Sequence, residues 1–363
     1  MKIAFFTTGM TRGGAERVIA TVANRLSELG HEVSIIILKG DKSEYRLNER
    51  VSLVSASLSP GLRNGPAAMS FYRRAIREMK PEVVISFTLK ANLMACSARR
   101  WLGIKAPLIV SERANPFQRK LQSQLICNNL FRTSDSIVCQ SKVISCYYEG
   151  RVKDANASVI PNPIDDTCIA DAPAKKRESY LLSVGRLCDQ KRHDISIRAL
   201  AELKKTQPDL RLRICGVGEK ENGLRALSKE LGVSDSVEFC GNVDNVMKEY
   251  ADSVAYLMTS DYEGFPNALI EAMSSGIAVV STDFSPGVAR ELVHDGVNGY
   301  VVSAGDPSAV ANAVTRLQEN YPSFTTLSES MHAVRDRFAL DCVVEQWVSV
   351  CEQVIEGNTS SNE

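Results

Sequence analysis

The feature that most limits the fold of this chain is a repeated alternation of short apolar runs with longer helical patterns. In the first half the apolar runs are residues 2–8 and the stretches "HEVSIIIL", "PEVVISF", "APLIVSE", "SIVCQS" and "ASVIPN". In the second half they are "YLLSVGRL", "LRLRICGVG", "VEFCG", "AYLMTS", "AVVSTDF" and "GYVVSA". Runs of this length between helical patterns are typical of buried parallel strands. The chain is therefore predicted to be an α/β protein with two parallel sheets wrapped by helices.

A break in this pattern divides the chain. Residues 166–178, "DTCIADAPAKKRE", have no periodicity and predict a linker. A chain of 363 residues is long enough for two domains, and we predict them over 1–165 and 179–335. The pattern over 336–356 predicts a final amphipathic helix. Two α/β units joined by a linker favour a ligand site in a cleft between them.

Composition narrows the class of protein. No apolar run approaches the roughly 18 residues of a membrane-spanning helix, and the short run at the N-terminus lacks a signal-peptide cleavage pattern. Ten cysteines occur without a Cys-x-x-Cys pair, which favours reduced thiols in a cytoplasmic protein. The four histidines show no metal-binding spacing, and no pattern indicates nucleic-acid binding.

The charge is distributed unevenly although the formal net charge is zero. The first 165 residues hold 24 Lys and Arg against 13 Asp and Glu, and the remainder holds 19 against 30. A basic half suggests an anionic partner, such as a phosphorylated substrate or a membrane surface. Ordinary drift of surface charge along the chain is the alternative.

A glycine pair follows the first predicted strand, in "TRGGAERV". Gly13 and Gly14 permit close approach of a ligand to the backbone, and the helix that follows offers unpaired N–H groups to an anion. The spacing is not Gly-x-Gly-x-x-Gly, so a dinucleotide fingerprint is absent. A tight turn without a ligand is the alternative.

Two cations follow the first strand of the second half, in "SVGRLCDQK". Arg186 and Lys191 are predicted at the carboxyl edge of a parallel sheet, where such sheets bind ligands. Together they are suited to a diphosphate, although exposed Arg and Lys are also common on any surface. His193 follows them at a predicted helix start, where a capping role is expected.

Two carboxylates surround a proline in "EGFPNALIEAM". Pro266 is predicted at the first position of a helix, with Glu263 just ahead of it and Glu271 about one turn inside it. A helix start attracts an anion, whereas carboxylates accept hydroxyl protons. A sugar nucleotide supplies both kinds of group, phosphates for the cations and hydroxyls for the acids.

In combination these stretches resemble the family 4 retaining glycosyltransferases. The Glu-x7-Glu spacing, "GRLxxxK" upstream of it, and "GGAER" near the N-terminus occur in the order of that family, and "SERANP" and "NPID" also fit. The resemblance implies a GT-B fold, in which two Rossmann-like domains face each other across a cleft. It also implies that the closing helix, 336–356, crosses back to pack on the first domain.

The resemblance assigns donor-binding roles to matching residues. It implies that Arg186 and Lys191 bind the donor diphosphate and also act in catalysis by neutralising the leaving group. It implies that Glu271 holds the ribose hydroxyls and that Gly14 lies against the diphosphate. Val243 is expected among the donor-binding residues. No metal and no cofactor are implied.

The same resemblance bears on the transferred sugar. Glu263, with the backbone N–H groups of Phe265 and Asn267, is expected to orient the sugar and to act in catalysis. Many members carry a histidine near the fourth strand end, where this chain has Glu112 and Arg113. Glu112 is therefore the candidate for a catalytic contact with the acceptor or the sugar.

The function implied is transfer of a sugar from a UDP-sugar, UDP-GalNAc or UDP-GlcNAc, to a glycan or polyprenyl-diphosphate-linked glycan acceptor with an α-linkage. The "SERAN" stretch resembles a subgroup that makes bacterial surface glycans, including N-acetylgalactosamine transferases. The alternatives are a sugar-nucleotide 2-epimerase of the same fold and a non-catalytic sugar-nucleotide binding protein. No nucleic-acid partner is expected.

A basic stretch in the first half, "FYRRAIREMK", suggests where an anionic membrane would be contacted. Its four cations cluster on a predicted helix, and Phe71 and Ile76 are expected to supply an apolar edge. The chain is accordingly predicted to be cytoplasmic, with peripheral contact at the inner face of the cell membrane. A solvated helix face is the alternative.

Overall fold

The computed structural model describes residues 1–11, 13–58, 65–153, 155–164, 180–320 and 324–360. The chain divides into two units, one formed by Met1–Pro163 with Leu340–Glu363 and the other by Ile164–Ala339. The predicted linker, 166–178, lies outside the described residues.

A parallel sheet forms the centre of the first unit, with seven strands in its described part and the order β3-β2-β1-β4-β5-β6-β7. The strands are β1 (Lys2–Thr7), β2 (Glu32–Ile37), β3 (Ser52–Ser55), β4 (Val83–Phe87), β5 (Leu108–Ser111), β6 (Ser136–Cys139) and β7 (Ala157–Val159). The apolar runs in the sequence predicted every one of these except β3. That edge strand, "SLVS", is half exposed and short, so it carries no apolar run that sequence patterning can detect.

Helices cover both faces of this sheet. They are α1 (Gly14–Glu28), α2 (Gly65–Met79), α3 (Leu89–Leu102), α4 (Leu121–Phe131), α5 (Lys142–Glu149) and α13 (Leu340–Ser360). Helices α1 and α13 share one hydrophobic core with the sheet, and α2 to α5 contribute to a second core on the other face. The buried strands read as continuous apolar runs because both of their faces are covered.

The closing helix α13 packs on α1 and on the β4 and β5 strands, within the first unit. Trp347 of this helix is fully buried there, and its ring lies 5.7 Å from that of Phe87. This helix begins at Leu340, and the preceding helix in the chain ends at Phe338. A chain segment that follows the second unit therefore completes the core of the first.

The second unit has a six-stranded parallel sheet within its described residues, in the order β10-β9-β8-β11-β12-β13. The strands are β8 (Tyr180–Val184), β9 (Arg211–Cys215), β10 (Val237–Gly241), β11 (Ala255–Met258), β12 (Val279–Thr282) and β13 (Gly299–Val302). The helices are α6 (His193–Leu203), α7 (Glu221–Glu230), α8 (Val246–Asp252), α9 (Asn267–Ser274), α10 (Ala289–Leu292), α11 (Pro307–Glu319) and α12 (Phe324–Phe338). All six strands follow the predicted runs.

The strand order reverses direction between β8 and β11 in this sheet. Open α/β sheets bind ligands at such a reversal, outside the carboxyl ends of the strands. A ligand-binding site is therefore expected among the residues that follow β8 and β11.

Candidate functional site

Three loop glycines allow the segments after β8 and β9 to pack directly on each other. A Cβ added to Gly216 would lie 2.0 Å from the carbonyl oxygen of Gly185, and one added to Gly218 would lie 2.3 Å from that of Leu187. The backbone N–H of Leu187 also donates to the Val217 carbonyl at 3.0 Å. A side chain at Gly216 or Gly218 would push the two loops apart. Close packing of the loops therefore fixes the backbone on either side of Arg186.

Arg186 is the exposed cation of this site. Its guanidinium makes no hydrogen bond or ion pair with any residue that the structure describes. Its place at the carboxyl end of β8 is the one predicted from the sequence, and no described residue neutralises its charge.

Lys191 and Glu263 form an ion pair, with Nζ and Oε1 2.7 Å apart. The same carboxylate accepts from the Ser260 hydroxyl at 2.7 Å, and Gln190 Nε2 lies 3.3 Å from its other oxygen. The Glu263 side chain is 8% exposed and that of Lys191 20%. The structure therefore brings together two residues that lie 72 positions apart and holds the carboxylate in one orientation. Neither Ser260 nor Gln190 was identified from the sequence, because a serine and a glutamine in loops carry no distinctive signal.

The residue after Lys191 fixes the lysine loop in place. Arg192 has the left-handed backbone conformation, with φ 48°, and its guanidinium pairs with Asp194 and Asp261. The Thr259 hydroxyl lies 3.2 Å and 2.9 Å from the carbonyl oxygens of Lys191 and Arg192. These contacts join the loop after β8 directly to the residues after β11, on the two sides of the reversal point.

His193 does not cap helix α6 as predicted. It is the first residue of the helix and is buried, and its Nδ1 lies 3.0 Å from the Ser183 hydroxyl. Its Nε2 is buried without a hydrogen-bond partner among the described residues. Burial, with a smaller contribution from Lys191, lowers the pKa of His193 to about 4, so the ring is neutral at physiological pH. The local sequence around His193 is compatible with a capping histidine and with a buried one, so it did not distinguish the two roles.

Helix α9 begins beside Glu263, at Asn267, with Pro266 as its N-cap residue. The predicted helix start is correct to one residue. Burial raises the pKa of the Tyr256 hydroxyl well above its ordinary value, and the negative charges of Glu263 and Glu271 add to the rise. Glu263 follows β11 and Glu271 lies inside α9, in the positions relative to strand and helix that the sequence predicted.

The remaining predicted donor residues lie at loop or helix starts. Phe265 lies two residues ahead of α9, and its ring packs on that of Phe338 with centroids 6.1 Å apart. Val243 follows β10 and is half-buried against the core of the second unit. Gly14 is the exposed first residue of α1 in the first unit, after Gly13, whose N–H and carbonyl both bond the Tyr45 hydroxyl.

The structure places Glu112 differently from what a substrate contact requires. Its side chain is 0% exposed, and its Oε2 accepts from Arg119 and from the Tyr148 hydroxyl, each at 2.6 Å. Its Oε1 accepts from the backbone N–H of Ala114. Burial, with the adjacent negative charge of Glu112, raises the pKa of Tyr148 and keeps that hydroxyl protonated. The two carboxylate oxygens are thus already occupied, and the arrangement favours a structural role over the predicted contact.

Its neighbour Arg113 lies over the rings of Phe87 and Trp347, at 4.6 and 5.6 Å from their centroids. Its guanidinium donates to the Ser111 hydroxyl and to Asn162. Burial lowers the pKa of Arg113 to about 9. Within the described residues it has no ion-pair partner, and it connects the carboxyl end of β5 to helix α13.

The expected apolar edge of helix α2 is wrong. Ile76 is 6% exposed and belongs to the core, and Phe71 packs partly against it. The helix turns its apolar residues to the sheet, as amphipathic helices do, and Arg73, Arg74 and Arg77 lie on its exposed side together with the acidic Glu78.

The described residues contain neither a cluster of metal ligands nor a helix suited to span a membrane. No group of three or more His, Cys, Asp or Glu side chains is positioned to hold a metal ion. None of the described helices combines the length and hydropathy needed to cross a bilayer.

Both halves of the chain match family models of glycosyltransferases. Residues 166–333 match the family model for glycosyl transferases group 1, and residues 12–167 match the model for glycosyltransferase family 4. An uncharacterized glycosyltransferase of Haemophilus influenzae is 28% identical, over 96% of this chain and 99% of its own. The fold is also that of HepE from Anabaena, solved in complex with UDP, with a TM-score of 0.81, 19% identity and coverage of 97% of this chain and 100% of that one.

A further relative is an enzyme of Campylobacter jejuni, an α-1,4-N-acetyl-D-galactosaminyltransferase whose name gives an undecaprenyl-diphosphate-linked glycan as its substrate. It is 30% identical over 98% of this chain and 99% of its own length. The likeness therefore extends over both units rather than one sheet. With GT-B neighbours in structure, matches in both halves and this relative along its whole length, the chain belongs to glycosyltransferase family 4 and is a glycosyltransferase.

Proposed function

We propose that this glycosyltransferase transfers a sugar from a UDP-sugar to a lipid-linked glycan, retaining the α-configuration of the donor. The observation that carries the proposal is the cluster at the reversal point of the second sheet. There Arg186, which has no partner among the described residues, lies in the same loop as Lys191, and Lys191 pairs with Glu263 after β11. A nucleoside diphosphate sugar has charges for the cations and hydroxyls for the carboxylates.

The donor roles follow from position. Arg186 and Lys191 bind the diphosphate and neutralise the charge that develops on the leaving UDP, with help from the N-terminus of α9. Glu271 accepts from the ribose hydroxyls, and Val243 borders the donor. Gly14, at the start of α1 in the first domain, lies against the diphosphate.

Glu263 orients the transferred sugar, with the N–H groups of Phe265 and Asn267. In this proposal Lys191 and Ser260 hold one of its oxygens in place, while the other is only weakly engaged by Gln190 at 3.3 Å. That second oxygen is the one suited to accept a hydrogen bond from a sugar hydroxyl.

The donor sugar proposed first is N-acetylgalactosamine, with N-acetylglucosamine as the second choice, because the Campylobacter relative is named as an N-acetylgalactosaminyltransferase. The same name supports a polyprenyl-diphosphate-linked acceptor. Such an acceptor lies at a membrane, so we place the enzyme in the cytoplasm with peripheral contact at the inner face. The cations of α2 would be attracted to anionic headgroups there.

Thermal unfolding with candidate donors tests the site. UDP-GalNAc at about 100 times its dissociation constant should stabilise the fold by roughly 2.7 kcal/mol. Arg186→Ala and Glu271→Ala should abolish that shift. The matched controls Arg198→Ala and Glu230→Ala, exposed residues of α6 and α7, should retain it.

Product analysis tests the reaction. Incubation of UDP-GalNAc with a polyprenyl-diphosphate glycan should give an α-linked product by NMR. Conversion of the donor without an acceptor would instead indicate an epimerase. A shift only with GDP-sugars, or one indifferent to Arg186→Ala and Glu271→Ala, would contradict the proposed donor site.

A further inference from the structure

Helix α4 carries apolar side chains on its exposed side. Leu121 is 70% exposed, Leu125 62% and Ile126 56%, and Phe117, one turn ahead of the helix, is 43% exposed. Residues four apart lie on one side of a helix, so Leu121 and Leu125 form a row with Ile126 beside it. We call these four residues the α4 face.

The orientation of the helix is fixed by its other side. Cys127 and Phe131 are buried in the core of the first unit. Between them and solvent, Gln124 donates to the Arg119 carbonyl at 2.8 Å and lies 3.2 Å from the Tyr147 hydroxyl. Rotating α4 to bury its leucines would break these bonds and expose Phe131. The apolar residues therefore face outward as part of the folded state.

The charge around this face has one sign. From 114 to 134 the chain has Arg119, Lys120 and Arg132 and no Asp or Glu. Leu121 and Leu125 line a surface groove together with Arg132 and Arg151. Apolar side chains bordered by cations complement an anionic lipid surface, in which acyl chains lie below negatively charged headgroups.

An exposed tryptophan lies on the neighbouring helix. Arg100 of α3 donates to Asn129 of α4 at 3.1 Å, and Trp101 follows it with 67% exposure. Indole rings favour the headgroup level of a bilayer, where one part of the ring is apolar and its N–H can be hydrated.

We propose that the α4 face inserts into the headgroup region of an anionic bilayer and anchors the first domain there, with Trp101 at the same depth. The basic face of α2 would add long-range attraction, whereas its apolar residues are buried and contribute no insertion. The inference rests on the proposed function for the lipid-linked acceptor that makes such an anchor useful. It does not depend on which donor is bound.

Vesicle binding tests the proposal. Sedimentation with vesicles of phosphatidylcholine and phosphatidylglycerol should recover the wild-type enzyme. The triple variant Leu121→Ser, Leu125→Ser, Ile126→Ser should partition at least about tenfold less. The matched variant Val217→Ser, Val297→Ser removes two exposed apolar residues of the second unit, 47% and 43% exposed, and should bind as the wild type does.

Fluorescence quenching locates the contact. The chain has two tryptophans, and Trp347 is 0% exposed. Brominated lipids should therefore quench Trp101 selectively, and Trp101→Phe should remove the quenchable signal while most binding persists. The α2 variant Arg73→Gln, Arg77→Gln should weaken binding at low salt and matter little at high salt.

Three results would overturn the proposal: no wild-type binding to anionic vesicles, equal binding of the triple variant, or light scattering that shows the α4 face joining two copies of the chain in place of lipid. Donor-induced thermal shifts, measured on the same preparations without lipid, report on the proposed function separately. Loss of vesicle binding with an intact donor shift concerns the α4 face alone.

Discussion

The two domains each place a carboxylate and a cation just after strands of a parallel sheet, but they do so in opposite environments. In the first domain Glu112 is 0% exposed and its partner Arg119 9%. In the second, Glu263 is 8% exposed and Lys191 20%, and Arg186 in the same loop has no partner among the described residues. Similar residue types at similar topological positions thus make a closed network in one sheet and, in the other, a buried carboxylate beside a half-buried lysine and an exposed arginine.

The difference teaches that position at a strand end is insufficient to identify a ligand-binding acid. Glu112 has both oxygens occupied by protein donors, so a substrate would have to displace a buried ion pair. Glu263 keeps one oxygen weakly engaged, at 3.3 Å from Gln190. The two carboxylates thus differ in how many acceptor sites the protein leaves open for a ligand.

Replacing Glu112 should give the largest effect, and on stability. Glu112→Gln leaves the Arg119 cation buried without its counter-charge, which should lower the free energy of unfolding by about 3–5 kcal/mol. Glu263→Gln should lower it by less, because Lys191 is 20% exposed and can reach water. Guanidinium denaturation of both variants measures the contrast. A stable but inactive Glu112→Gln enzyme would restore the predicted substrate contact.

Lys191→Met should have the next largest effect, and on catalysis. Loss of one charge-stabilising group should reduce kcat/KM by about 10²–10³-fold. Lys220→Met is the matched control, since Lys220 pairs with Asp189 near the same loop but is 45% exposed. Steady-state kinetics with the donor compare the two. Equal losses in both variants would mean that the loop as a whole, and not the Lys191 charge, matters.

His193 should make stability depend on pH. Its folded pKa of about 4 lies below the ordinary 6.5, so the unfolded chain binds a proton that the folded chain does not. The contribution is complete above pH 6.5 and is lost as the pH falls toward 4, by at most about 3 kcal/mol. His193→Asn should flatten the stability profile over that window, whereas His294→Asn, an exposed control, should not. An unchanged slope in His193→Asn would contradict a neutral buried ring.

Ser260→Ala should have the smallest effect. It removes a 2.7 Å hydrogen bond to Glu263 but keeps the Lys191 pair, so kcat/KM should fall roughly tenfold. Kinetics at saturating acceptor measure the loss, with Ser236→Ala, in the short 3₁₀ helix Ser234–Ser236 ahead of β10, as a control. A loss as large as that of Lys191→Met would show that the serine contacts the substrate.

The strands and the principal site residues were predictable because they depend on local patterns. Apolar runs located every strand except β3, and Pro266 marked the start of α9 to within one residue. The Glu-x7-Glu spacing pointed to the end of β11. The roles of Arg186, Lys191 and Glu271 in donor binding remain predictions for the experiments above.

Other features were not predictable because they arise from contacts between distant segments. The burial of His193 depends on Ser183, the closure of the Glu112 network on Tyr148, and the burial of Ile76 on the sheet beneath α2. In each case the local pattern was compatible with exposure.

By itself the sequence determined that this chain forms two α/β units, each with a parallel sheet. The order of its motifs determined the glycosyltransferase family. Both follow from hydrophobic periodicity and residue spacing, which are properties of the chain alone. Only the tertiary structure decided that Glu112 has both carboxylate oxygens occupied by protein donors, whereas one oxygen of Glu263 is only weakly engaged. It also decided that α4, and not α2, turns its apolar side outward. Burial and hydrogen-bond satisfaction are set by residues far apart in the chain, and no local pattern contains them.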